Sequence, residues 1–370
     1  MRFIPDPVAR QPWRVILPLT SLVLFGAAVL YSAAGGSFRP WALNHILRYG
    51  AFLGLALGLA RVRRQSFKDI AYPLYAIVLV LLVLVEAIGK VGGGSQRWLN
   101  LGFMMLQPSE LMKPIIVVAL ARFFDDLPPS MTKTWRGLLP VAGMVAVPAA
   151  LVIVQPDLGT ALAICFGAFC VIFLAGLPAG WFVAGGIAGV IAAPLAFFFA
   201  LHDYQRQRVF VFLDPSKDPL GTGYHILQSS IAIGSGGVFG KGFLNGSQSH
   251  LDYLPEAHTD FAFATMAEEW GLAGGLFVMT IFAILLRWGM NTARRAPDRF
   301  SQLLAAGMTC TVFFYVAINL MMVLGLAPVV GIPLPFVSHG GSSMMTNMIC
   351  LGTIMAVERW SQTGRRAFGS

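Results

Sequence analysis

The stretch LHDYQRQRVFVFLDPSKDPLGTGYHILQSSIAIGSGGVFGKGFLNGSQSHLDYLPEAHTD, residues 201–260, is a polar island in an otherwise apolar chain. It gathers Arg206, Arg208, Asp214, Lys217, Lys241, Glu256, His258 and Asp260, although only 12% of the 370 residues are Asp, Glu, Lys or Arg. Apolar runs of membrane length flank it, Gly180–Leu201 before and Phe261–Leu286 after. A chain that keeps charge out of the bilayer and yet collects it beside the bilayer is expected to hold a site there.

Working outward, 56% hydrophobic residues and a mean hydropathy of +0.71 exclude a water-soluble domain around one core. Runs able to span as helices are Val15–Ala33, Trp41–Ala60, Ile70–Ile88, Leu111–Phe124, Leu138–Val154, Leu158–Leu174, Gly180–Leu201, Phe261–Leu286, Leu303–Leu326 and Ser342–Val357. The expectation is an all-α polytopic membrane protein of about ten spans, a single membrane domain over residues 1–370, with a large external loop at about 202–260 carrying short helices. The Leu111 run is short and contains Lys113, and the Trp41 run contains His45 and Arg48.

The positive-inside rule tests the count, because one added or lost span would invert every later loop. Alternate turns hold Arg61, Arg63, Arg64 and Lys68, then Lys133 and Arg136, then Arg287, Arg294, Arg295 and Arg299. Arg2, Arg10 and Arg14 at one end and Arg359, Arg365 and Arg366 at the other agree, so both termini are expected in the cytoplasm and the island outside. The net charge of +9 therefore reflects topology and anionic lipid rather than nucleic acid. The N-terminal run is long and followed by many more, which reads as an uncleaved first helix. Cys165, Cys170, Cys310 and Cys350 show no CxxC spacing, so neither a metal site nor a disulfide framework is indicated.

Several motifs carry chemistry. In IGSGGVFGKG the glycines and Lys241 suggest a phosphate contact, but the GxxxxGK[ST] pattern is absent and a structural turn is as good a reading. Arg206 and Arg208, one residue apart, would point the same way on an extended backbone and fork onto phosphate oxygens; headgroup contact or pairing with Asp203 and Asp214 weighs equally. Glu256, His258 and Asp260 alternate, so an extended strand would aim all three together, although Asp260 alone reads well as a helix N-cap. Glu268 and Glu269 follow inside the next apolar run and are expected to line a polar cavity. Lys90–Glu110 places Arg97, Glu110 and Lys113 at the outer interface, and the turn at Gln155–Thr160 presents Asp157. Gly331–Ser343 reads as irregular backbone at membrane depth, sustainable only under cover of protein or a water-filled cavity. Gly50, Gly54 and Gly58, like Gly185 and Gly189, are spaced for close helix packing.

QRWLNLG, LQPSELMKP, QPDLGTA, HDYQRQRV with LDP, GTGYHILQS, IAIGSGGVFGKG, LPEAHTDFAFATMAEEWG and LPFVSHGGSS, in that order over most of the chain, resemble the SEDS family of bacterial cell-wall glycosyltransferases. GSQSHLDYLPE and VVGIPLPFVS look more like its elongation branch, RodA, than its division branch, FtsW; His339 stands where that pattern has Tyr. The resemblance implies a ten-helix fold in the bacterial inner membrane and polymerisation of lipid II on the outer face. It implies Asp260 as the catalytic carboxylate, with membrane lipids, elongation-complex proteins and a single-span class B penicillin-binding protein as partners.

One carboxylate suffices chemically, since a diphosphate leaves without a proton donor and only the acceptor sugar hydroxyl needs a base. Arg97, Lys113, Arg206, Arg208 and Lys241 are candidates to offset diphosphate charge, and Glu110, Glu256 and His258 to contact substrate. A divalent cation, Mg or Mn, would share that charge, although the sequence offers no dedicated ligand cluster. The rival readings are a flippase for the lipid-linked precursor, which would need charge at mid-depth in several spans, a division-type polymerase, and a non-catalytic scaffold.

Overall fold

The computed structural model describes residues 11–92, 95–100, 105–128, 131–199, 206, 210–212, 214, 218, 221–251, 253–254 and 256–368. The helices are α1 (Trp13–Ala33), α2 (Trp41–Leu59), α3 (Arg64–Ile88), α4 (Pro108–Asp126), α5 (Trp135–Val154), α6 (Leu158–Leu174), α7 (Ala179–Phe199), α8 (Thr222–Gly236), α9 (Ser247–His250), α10 (Ala262–Arg294), α11 (Arg299–Val323) and α12 (Gly341–Phe368). Six of them, α1, α2, α3, α5, α10 and α11, are long and apolar enough to cross a membrane, and α6 and the start of α7 are shorter apolar helices.

The two remaining expected spans, α4 and α12, are helical but less apolar because they lie inside the bundle. Pro108 to Ala121 is buried at all but one position, and so is Ser342 to Val357. With α11, which packs against α4, α6, α10 and α12, they form the centre. Along their buried stretches α4 and α12 are shielded from lipid, so composition there answers to protein neighbours rather than to hydrocarbon. Helix α7 stands at the margin, joined to α6 through Phe182 against Phe169 and Phe173.

The chain is not purely helical. The glycine-rich segment after α3 cannot sustain a helix and instead forms a small antiparallel meander of β1 (Lys90–Gly92), β2 (Ser95–Asn100) and β3 (Met105–Leu106), with Lys90 opposite Trp98 and Leu99 opposite Leu106.

The expected glycine packing is also corrected. A Cβ at Gly50, Gly54, Gly58, Gly185 or Gly189 would meet nothing within 4 Å. The close approach of α2 to α12 occurs at Ala56, whose Cα would lie 2.8 Å from a Cβ on Gly352.

Close packing by glycine occurs elsewhere. Helix α10 breaks at Gly271, where φ is +60° and ψ −155°. The loop after α8 plugs the break from both sides. Lys241 and Gly242 amides donate at 3.0 Å to the carbonyls of Glu268 and Glu269, while Leu272 and Ala273 amides donate to Gly237 and Val238 carbonyls at 3.0 and 3.1 Å. Four backbone groups released by the interruption thus find partners in the loop. A Cβ at Gly236 would strike the Ala267 carbonyl oxygen, and one at Gly240 that of Glu269.

Candidate active site

Residues 256–260, EAHTD, are a run of turns, not the extended strand their alternation suggests. Glu256 has φ +54°, its carbonyl accepts from the Thr259 amide at 3.0 Å, and its carboxylate accepts from the Thr259 hydroxyl at 2.7 Å. Asp260 does not occupy the N-cap position either: that place is held by Phe261, without a side-chain cap. The cap reading of Asp260 therefore falls.

A buried amide holds the backbone of Asp260 in place. The amide of Asn319, fully buried on α11, donates to the Asp260 carbonyl at 2.9 Å and to the Ile332 carbonyl at 2.8 Å. The carboxylate faces the loop between α11 and α12, with Asp260 Oδ2 3.6 Å from where a Gly331 Cβ would sit. That loop is irregular and covered by protein, as its membrane depth requires: Ile332, Leu334, Phe336, Val337 and Ser338 are all buried. His45 reaches the Phe336 carbonyl at 3.0 Å.

His258 stacks on Trp41 with ring centroids 4.0 Å apart, and its carbonyl accepts from the His339 amide at 2.8 Å. Burial holds the His258 ring below its ordinary pKa, with Glu256 opposing the shift. His339 Nε2 lies 3.1 Å from Arg48 Nη1; since a guanidinium only donates, His339 accepts there and carries its proton on Nδ1. Among the described residues no carboxylate lies within ion-pair distance of Arg48. The sequence registered Arg48 only as an oddity within a span, and Asn319 not at all, although an asparagine inside an apolar run was a signal for both cost and purpose.

The other candidates are dispersed. Arg97 clamps the turn before α6, donating to the Gln155 carbonyl at 3.0 Å and to the Pro156 carbonyl, with Asp157 3.8 Å away. Asp157 is itself the N-cap of α6, accepting from the Thr160 amide at 3.1 Å. Lys113 and Glu110 form a buried pair at 2.5 Å closed by Tyr315, whose hydroxyl lies 2.7 Å from Lys113 Nζ and donates to Glu110. The Lys113 side chain has no exposed surface, so in this conformation it cannot meet a phosphate.

Lys241 binds Glu268 at 2.6 Å and Ser247 at 2.8 Å. Glu268 also accepts from the Gln248 amide, and Glu269 from Ser32. Both carboxylates are buried, Glu268 against Lys241 and Glu269 against Ser32. The amides of Gly240, Lys241 and Gly242 are spent on protein carbonyls, which favours the structural reading of that glycine run. Arg206 donates to the Phe198 carbonyl at 2.8 Å; Arg208, Asp203 and Lys217 lie outside the described residues. Among the described residues no group of three or more His, Cys, Asp or Glu gathers to hold a metal ion, so no protein ligand set for a divalent cation is assigned.

Fold and site define a multi-pass membrane protein with a carboxylate set where the helix bundle meets its loops. Residues 13–363 match the FtsW, RodA and SpoVE family of cell cycle proteins, and the chain belongs to that family. It is 42% identical over 356 residues to the peptidoglycan glycosyltransferase MrdB of Escherichia coli K12, covering 95% of this chain and 94% of that protein. Among solved structures, a chain of a peptidoglycan synthase complex, studied for its coordination of polymerization and crosslinking, is similar at 33% identity and a TM-score of 0.82, covering 95% of this chain and 98% of the other. The rod shape determining protein RodA of Thermus thermophilus is similar at 30% identity and a TM-score of 0.68, covering 96% and 98%.

Proposed function

We propose that this chain is a peptidoglycan glycosyltransferase of the elongation type, polymerising lipid II with Asp260 as general base. The observation that carries the assignment of the base is the placement of Asp260: it is partly exposed, lies one residue before the N-cap of α10, and is tied through its own backbone to a buried asparagine. Asp260 takes the proton from the acceptor sugar hydroxyl as that oxygen attacks the anomeric carbon of the donor. The bond to the lipid diphosphate breaks in the same displacement, which inverts the anomeric centre, and the diphosphate leaves without a proton.

Cations that reach the diphosphate would stabilise the charge that builds on the leaving oxygen. Arg48, which meets His339, is one candidate and Arg206, beside the end of α7, another, since a guanidinium forks onto phosphate. Lys241 retains some exposed surface beside Glu268. A flippase reading is less well supported, because the buried charges at Glu110, Lys113, Glu268 and Glu269 are closed into pairs and hydrogen bonds rather than strung along a path.

The site faces outward from an inner membrane with both termini cytoplasmic, on the strength of the arginine-bearing turns. A class B penicillin-binding protein as partner follows from family membership and from the complex in which the similar chain was solved.

Purified Asp260→Asn protein, incubated with lipid II in detergent, is expected to make no polymer while keeping the wild-type melting temperature. Asn fills the same volume but cannot take a proton near neutral pH. Full polymer yield from this variant, with contaminating synthases excluded, would falsify the assignment of the base.

A further inference from the structure

At the end of the bundle opposite Asp260, two cavities of about 530 and 860 Å³ open on either side of one ion pair, Arg14 with Glu358. Trp288 Nε1 also reaches Glu358, at 3.2 Å. Arg287 and Arg295 of the α10 end line the first cavity, and Arg61 after α2 and Arg359 of α12 line the second. All four are exposed, and no ion pair or hydrogen bond from their guanidinium groups to a described residue is recorded. Among the described residues, the two linings thus set five guanidinium groups against one carboxylate.

The walls change character with depth. Leu57 lies one helical turn before Arg61, Ile284 one turn before Arg287, and Met355 one turn before Arg359, and all three line the same cavities. At 1.5 Å per residue each apolar residue sits roughly 4.5–6 Å nearer the membrane centre than its arginine. Trp13 and Trp288 stand at the boundary, where their amphipathic rings suit the headgroup level. Topology asks for positive charge on these turns, but it does not ask for a concave site with an arginine rim, an aromatic belt and an apolar floor.

We propose that the first of these cavities binds an anionic phospholipid of the adjacent leaflet, with the phosphate held by Arg287 and Arg295 and the first acyl carbons against Ile284. Anionic lipid is attracted by clustered arginine at a membrane face, and a pocket between helices gives that attraction a fixed geometry. The apolar floor distinguishes a lipid from free phosphate. The site is remote from the glycosyl-transfer chemistry, and bound lipid would brace α1, α10 and α12 together.

The test uses the full-length protein, purified in detergent and stripped of lipid, with its melting temperature followed as dioleoylphosphatidylglycerol, dioleoylphosphatidylcholine or inorganic phosphate is added. Phosphatidylglycerol is expected to raise the midpoint saturably, and the other two are not. The double variant Arg287→Gln/Arg295→Gln should bind phosphatidylglycerol about tenfold more weakly or worse, while Arg63→Gln/Arg294→Gln, which removes equal charge outside the cavities, should match wild type. Without lipid all three proteins should melt alike; should the cavity variant not, Arg287→Lys/Arg295→Lys replaces it, expected to bind with intermediate strength because it keeps charge and loses the fork. Equal stabilisation by phosphatidylcholine, equal weakening in both double variants, or full stabilisation by phosphate alone would each overturn the proposal.

Discussion

Asn319 donates both amide hydrogens, one to the carbonyl of Asp260 and one to that of Ile332, so a single buried side chain sets the spacing between the carboxylate-bearing turn and the glycine loop. Replacing it with Leu keeps the volume and orphans two carbonyls, at a cost of about 1–3 kcal/mol for each that stays buried. We expect Asn319→Leu to lower polymerisation by more than about tenfold at saturating lipid II. A destabilised variant that still polymerised normally would show that Asn319 supports the fold without setting the site. The neighbouring imidazole adds a pH dependence. Burial depresses the His258 pKa in the folded protein, so the unfolded chain binds that proton more readily. The sign follows: the Trp41–His258 stacking contributes fully above about pH 6.5 and fades as the solution is acidified below it. His258→Gln should flatten the acid side of a plot of melting temperature against pH, and an unchanged slope would assign the effect to other groups.

At the scale of elements, glycine spacing was informative in one place and misleading in another. Gly50, Gly54 and Gly58 carry a helix-packing pattern that the structure leaves open, whereas Gly236 and Gly240 touch the backbone of α10 at a break nearly thirty residues later. Periodicity within a helix says which residues share a face, but it cannot say whether another helix lies there. Gly240→Ala is expected to cut the yield of folded protein severely, since φ is +77° and the added methyl would meet the Glu269 carbonyl. Gly50→Ala should leave folding unchanged or slightly improved, because Ala is the better helix former by roughly 1 kcal/mol. Comparing fluorescence-detected size exclusion of the two variants checks both. The same non-locality hid the fates of Lys113 and Lys241: each reads as free charge until Tyr315 and Glu268, far away in sequence, close upon it.

For the molecule as a whole, the span pattern was the most legible feature, because hydrocarbon constrains every lipid-facing helix in the same way. It was weakest at α4 and α12, the helices that other helices shield. On which side of the membrane each loop faces, the arginine distribution makes a sharp statement. Phe239 lies in the loop between α8 and α9 and is 84% exposed, on the side expected to be external. Gln65 opens α3 and is exposed beside the basic turn expected to be cytoplasmic. The four native cysteines all lie within α6, α11 and α12, where a charged, membrane-impermeant maleimide should not reach, so wild type supplies the background. In intact spheroplasts the reagent should label Phe239→Cys strongly and Gln65→Cys no more than background, and permeabilisation should bring the second up to the first. Labelling of Gln65→Cys before permeabilisation, with Phe239→Cys protected, would invert the topology and put Asp260 on the cytoplasmic side. An active site there could not extend glycan strands outside the cell, so this one pair of substitutions tests the orientation and the proposed place of the chemistry together.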